Sequence, residues 1–171
     1  RIAIEEFDRA PSPQFLPAAL RAGAFAAAAS GRLEEAEAFL KRYAVSSAEF
    51  DQDWQAETAW MRGNVFRRVD PERARAGFER FLAPPVSQRR AHAPASARAA
   101  MAAIAARVEL LDEARSWLAG ANIGDGSPFQ FEDRMDFELD LVEANRALGN
   151  SAEAERRRAA ALDLALKAGD A

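Results

Sequence analysis

Four segments of this chain share one pattern: a turn, then the start of an amphipathic helix with an alanine set among charged neighbours. They are Ser30-Gly31-Arg32-Leu33-Glu34-Glu35-Ala36-Glu37-Ala38-Phe39-Leu40, Asp70-Pro71-Glu72-Arg73-Ala74-Arg75-Ala76-Gly77-Phe78, Leu111-Asp112-Glu113-Ala114-Arg115-Ser116-Trp117-Leu118 and Asn150-Ser151-Ala152-Glu153-Ala154-Glu155. Their central alanines, Ala36, Ala74, Ala114 and Ala154, are separated by 38, 40 and 40 residues. A near-constant period of that size is the signature of a helical repeat array. One helical unit cannot bury its apolar stripe alone, so such units stack. The repetition therefore restricts the chain to an all-α fold of about four antiparallel helix pairs, and no stretch alternates with the period of two that a strand requires.

Residues 1–17 hold Pro11, Pro13 and Pro17 and only a short apolar burst at Ile2, Ala3, Ile4 and Phe7. Prolines at that density interrupt a helix, so this stretch reads as a lead-in segment or the end of a preceding unit. The repeat domain then spans 18–171, with units at about 18–45, 46–84, 95–120 and 127–168. In the first unit an alanine-rich helix is broken by Ser30-Gly31. The second is expected to open on Ser46-x-x-Glu49, a capping box, ahead of a stripe of Phe50, Trp54, Thr58, Met61 and Val65. Asp70 followed by Pro71 starts its partner helix, which carries Phe78, Phe81 and Leu82 and ends at Pro84-Pro85. Residues 86–94 read as a polar connector, and 95–108 as alanine-rich helix again. Ser127-Pro128-Phe129-Gln130 caps the next helix, Gly149 ends it, and Asn150-x-x-Glu153 starts the last. Arg156, Arg157 and Arg158 give that last helix the polar character of an end cap.

These helix-turn-helix units, with a small residue at the turn and an alanine five residues into the second helix, resemble tetratricopeptide repeats. Gly31 with Leu33 and Ala36, and Gly149 with Ala154, carry the likeness best. The period is longer than the family's roughly 34 residues, and Val69 and Glu109 stand where the turn glycine is expected. HEAT-like or other helical repeats stay open as the alternative. The resemblance implies a right-handed superhelix whose first helices line a concave face that holds peptides or other proteins. It also implies that each alanine sits where two helices cross too closely for a larger side chain.

Candidate chemistry is sparse. His92 is the only histidine, and without a nucleophile or base beside it no triad forms. Asp51-Gln52-Asp53 and Glu132-Asp133-x-x-Asp136 lack the ligand loop of a calcium site and read as first-turn acids that favour the helix dipole. The glycine-dense loop from Gly120 to Gly126 lacks the Gly-Lys-Ser/Thr ending of a phosphate loop. Trp54, Trp60 and Trp117 read as core, with Trp60 off the Trp54–Met61 stripe and a candidate for a second packing face or an opening. No cofactor and no metal are expected. One constellation points to binding: Arg67, Arg107 and Arg146 fall at or near equivalent positions of the first helices, with Phe25 and Phe66 near the same face. Stacked arginines beside an aromatic suit a carboxylate or an acidic peptide. Helix-end cations near the C-terminal dipole are the competing explanation.

The formal net charge of −4 argues against a nucleic-acid partner. The most apolar run, residues 22–29, is far short of the roughly 20 residues of a membrane span. The absence of cysteine fits any compartment, and the expectation carried forward is a soluble, cytoplasmic chain. A start at Arg1 reads as a processed chain or a piece of a longer protein. The resulting expectation is a non-catalytic scaffold that binds another protein or peptide, possible acidic or C-terminal segments included. The alternative is the regulatory or recruiting arm of a larger signalling enzyme or transcription regulator.

Overall fold

The alanine-bearing segments do start helices. The computed structural model describes residues 15–48, 54–83, 93–121 and 131–169. Among the described residues there are eight α-helices and no strand: α1 (Leu16–Ala29), α2 (Leu33–Ala48), α3 (Trp54–Phe66), α4 (Pro71–Leu82), α5 (Ala93–Arg107), α6 (Leu111–Ala119), α7 (Phe131–Ala147) and α8 (Ser151–Gly169). The chain divides into two compact units, Arg1–Ser87 and Gln88–Ala171. In the first, α1 packs on α2, α3 packs on α4, and α3 also meets α2 and α1. In the second, α5 packs on both α6 and α7, and α7 packs on α8. No helix among the described residues is long and apolar enough to cross a membrane.

The repeated alanines occupy one helical position. Each is buried to 1% exposure or less. The amides of Ala36, Ala74, Ala114 and Ala154 donate to the carbonyls of Arg32, Asp70, Leu110 and Asn150 at 2.9–3.0 Å, so each alanine stands one turn into its helix. Three of the preceding turns share a geometry as well. Gly31, Glu109 and Gly149 take left-handed conformations, with φ of 72°, 60° and 76°. The next amide in each turn reaches back five residues, Arg32 to Ala27, Leu110 to Ala105 and Asn150 to Asn145, all at 2.9 Å. This is the helix-ending motif that favours glycine, and Glu109 adopts it without one. The α3–α4 turn is built otherwise. There the Asp70 amide donates to Phe66 at 2.9 Å, and the Asp70 carboxylate caps the Arg73 amide at 3.0 Å with Pro71 in the first turn.

Some boundaries differ from expectation. Ser46 does not open a helix; α2 runs through it to Ala48, and its hydroxyl donates back to the Tyr43 carbonyl at 3.0 Å. That local bond occupies the oxygen a cap would have used. Pro17 lies in the first turn of α1 and Pro94 in that of α5, where no amide is needed, so both helices begin earlier than expected. His92, the Asp51-Gln52-Asp53 cluster, residues 122–126 of the glycine-dense loop and the Ser127 cap lie outside the described residues, as do the side chains of Glu132 and Asp133.

In the first unit, aromatic rings and glycines form the α3–α4 contact. Trp60, only 4% exposed, lies 5.3 Å from Phe81 and 5.8 Å from Phe78 between ring centroids, so it is core rather than an opening. Burying each such ring contributes about 1.5–3 kcal/mol. The helices touch backbone to backbone here: a Cβ on Gly77 would stand 2.5 Å from the Gly63 nitrogen, and one on Gly63 would stand 2.5 Å from the Phe78 ring. In the second unit, α5 is buried almost all round, from Ala93 to Ala106 with Pro94 and Arg98 as the exceptions. Phe137 and Leu141 of α7 pack on Ala95, Ala99 and Ala121, and Leu148 closes over Ala105, Ala106 and Ala114.

Candidate functional site

The five groove residues read from the sequence do not share one environment. Phe25, Phe66 and Arg67 belong to the first unit, Arg107 and Arg146 to the second. Arg107 and Arg146 lie in the last turns of α5 and α7, beside carbonyl ends that attract a cation. Arg107 donates to Glu143 at 2.5 Å, and Arg146 lies 3.5 Å from Glu155. Phe25 is 41% exposed. Arg67, which a groove role requires to be accessible, is instead 6% exposed, folded back in the turn so that it donates to Asn64 at 3.4 Å. Phe66 is wholly buried beneath the Arg73 guanidinium, 5.5 Å above its ring, which gives it a cation–π contact rather than an outward face.

Arg73 also joins two helix pairs. From α4 it donates to the Leu33 carbonyl at 3.3 Å and to the Glu34 carboxylate of α2, and it lies 3.2 Å from Asp70. The hydrogen bond from Arg73 and its charge hold the Glu34 carboxyl below its ordinary range. In the second unit Glu138, 1% exposed on α7, accepts from Arg134 at 3.0 Å and from Arg157 of α8 at 3.2 Å. Arg157 also donates to Glu153 at 2.7 Å; burial works against its charge, but the two carboxylates outweigh that and raise its pKa. These clusters tie helices together.

A different place in the first unit has the opposite character. Trp54, Gln55, Thr58, Ala59 and Arg62 of α3 and Ala76, Gly77 and Arg80 of α4 line a cleft of about 360 Å³. Its position follows from the glycine crossing. Phe78, Phe81 and Trp60 fill one side of the α3–α4 contact, while the small residues Ala59, Ala76 and Gly77 leave the other side hollow. Arg62 is held by Glu37 of α2 through Nη1 at 2.9 Å. Its Nε, and the Thr58 hydroxyl, are buried without a hydrogen-bond partner in the protein. Arg80 stands exposed at the rim, and among the described residues no carboxylate pairs with it. Buried polar atoms are rarely left unpaired, so each one calls for an explanation.

Comparison with family models, curated proteins and solved structures finds no match. The function therefore rests on the chain's own geometry. Sequence reasoning placed Trp54 and Thr58 on a core stripe, yet both are only half-buried and face the cleft, whereas Met61 and Val65 are buried. The available signal was the row Trp54, Thr58, Arg62 at a spacing of four, opposite the small residues Ala76 and Gly77. Among the described residues no group of three or more acidic or histidine side chains is arranged to hold a metal ion.

Proposed function

We propose that the chain is a non-catalytic scaffold that binds another protein or a peptide through the surface of a helical repeat array of the tetratricopeptide kind. The observation that carries this reading is the common register of Ala36, Ala74, Ala114 and Ala154, each one turn into its helix and each buried. Identical supersecondary units that bury one another's faces leave long runs of helix surface to partners. The right-handed superhelical stacking of such units belongs to the same proposal. Arg107 and Arg146 are the exposed basic groups of the proposed surface in the second unit, and acidic or C-terminal segments are the partners they suit; Phe25 is an exposed apolar group of the first unit. Arg67 and Phe66 are buried, so they act by supporting the turn rather than by touching a partner.

The test is affinity capture with the chain as bait, followed by identification of the bound proteins and a titration of the recovered partner. Arg107→Glu with Arg146→Glu should abolish capture in a protein that still folds, at a cost of about 1 kcal/mol for setting carboxylates beside Glu143 and Glu155. Capture should also weaken as salt rises, since exposed charges are screened over about 10 Å at 0.1 M. Capture that survives the double reversal moves the interface off these arginines. Failure to retain any protein at low salt removes the scaffold reading itself.

A further inference from the structure

We propose that the outer face of α1 is a docking surface for an amphipathic helix of another protein, one that carries an acidic residue at the edge of its apolar stripe. Within the scaffold reading, on which this rests, α1 is the first unit's own docking face. The composition of the helix is the starting point. Over Leu16–Ala29 the only charged residue is Arg21, and eight of the fourteen residues are alanine. A helix that is apolar all round belongs inside a protein, yet α1 is buried along one side, through Leu20, Ala24, Ala27 and Ala28. Phe15 at its N-cap, Ala18, Ala22, Phe25 and Ala29 are exposed, Phe15 to 56%. Their spacing of three, four, three and four sets them on one line along the opposite side. Single exposed apolar residues need no explanation, whereas a continuous line of them marks an interaction surface.

Shape and charge select what covers it. Phe15 and Phe25 stand ten residues apart, about 15 Å along the axis, with alanine methyls between them. The large aliphatic side chains of an approaching helix, at i, i+3, i+4 and i+7, span about 10 Å and fit between the two rings. The small floor lets the two helix axes approach to about 8 Å. Arg21, one residue before Ala22, borders the line near its midpoint. It is exposed, and among the described residues it pairs with no carboxylate. An aspartate or glutamate on the flank of the incoming helix supplies that partner. A second copy of this chain fits poorly. Antiparallel pairing that sets Phe15 on Phe25 of the other copy puts alanine opposite alanine, which leaves a gap between the rings, and brings Arg21 against Arg21. A lipid surface is matched poorly as well, because interfacial helices rely on several basic residues and longer apolar side chains.

The experiment is fluorescence anisotropy of the intact chain with a labelled designed helical peptide, leucines at i, i+3, i+4 and i+7 and glutamates on their flanks. Its twin carries lysines in place of the glutamates. The acidic peptide should bind saturably and the basic twin about fivefold more weakly, although the chain's net charge of −4 favours the basic one. Arg21→Glu should invert that order. Phe25→Ala removes a ring and Ala22→Gln raises the floor, both at exposed positions. Each should weaken the acidic peptide at least about tenfold in a chain whose far-UV spectrum stays helical. Absence of saturable binding overturns the proposal. Equal binding of the twin overturns the charge assignment, and binding untouched by both Phe25→Ala and Ala22→Gln overturns the location. Sedimentation of the chain alone, and with vesicles of phosphatidylcholine and phosphatidylserine, addresses the other occupants. Self-association or vesicle binding that Phe25→Ala abolishes overturns the partner-helix assignment. The titration needs no natural partner and leaves Arg107 and Arg146 untouched, so its failure removes the α1 site alone, while failure of capture removes the scaffold reading.

Discussion

Glu109 holds a φ of 60° at the turn where Gly31 and Gly149 hold 72° and 76°. A left-handed non-glycine residue costs about 1–2 kcal/mol, and glycine's extra freedom in the unfolded chain takes back about 0.5–1. Glu109→Gly should therefore stabilise the protein by about 0.5–1 kcal/mol, read as a small rise in melting temperature. An unchanged or lower value would mean that the Glu109 side chain contributes to the fold. The departure at this turn was visible in the sequence, but its meaning was not. A missing glycine reads equally as a different turn, which is what Val69 shows, or as the same turn under strain, which is what Glu109 shows. Arg67 makes the same point for charge. Nothing in a pair of arginines after a helix tells which one folds back under the turn. Arg67→Glu should cost several kcal/mol, of the order found when a buried charge is left unmatched, whereas Arg107→Glu and Arg146→Glu, at the surface, should each cost only about 0.5–1 kcal/mol.

At the level of helices, two kinds of close contact hold the fold. The repeated alanines were legible because they recur, and all four are buried in the same position. Ala36→Leu, Ala74→Leu and Ala114→Leu should each overpack a crossing by about 1–3 kcal/mol. Ala154→Leu, although in the last unit, should cost as much, since Ala154 is only 1% exposed. Denaturant titration of the four variants tests this, and a freely tolerated Ala154→Leu would separate the last unit from the others. The closest approach, between Gly63 and Gly77, was not legible. Its cause is a backbone on another helix, and single glycines at positions 63 and 77 carry no periodic signal. Gly77→Ala should lower stability by at least about 2 kcal/mol, because the added methyl meets backbone rather than a movable side chain. The cleft is the other face of that crossing, so it escaped the sequence for the same reason.

For the molecule as a whole, the far-UV spectrum should be dominated by helix, and its acid stability should follow the carboxylates paired with arginines within and between helices. Glu34 is held low by Arg73, and Glu155 by Arg158 and Arg146. At Glu153 burial pushes the other way, and Arg157 and Arg156 overcome it. A carboxyl with a folded pKa below its unfolded value stabilises the fold above that unfolded value and ceases to do so as pH falls through the folded one. Stability should thus be flat above the ordinary glutamate value of 4.5 and decline below it. Urea midpoints measured from neutral pH downward test this, and Glu153→Gln should flatten part of the decline. The all-helical character was readable from periodicity alone. The division into two compact units was not, although their boundary at Ser87 and Gln88 falls inside the polar connector read at 86–94, because one sequence pattern runs on both sides of it. The alanine helix α5 has one more consequence, in time rather than in structure. Its residues are the strongest helix formers and also the most deeply covered. The segment that needs least help to coil is thus the one α6 and α7 must find. Folding of the second unit should start there, and alanine-to-glycine changes along α5 should slow refolding far more than they hasten unfolding.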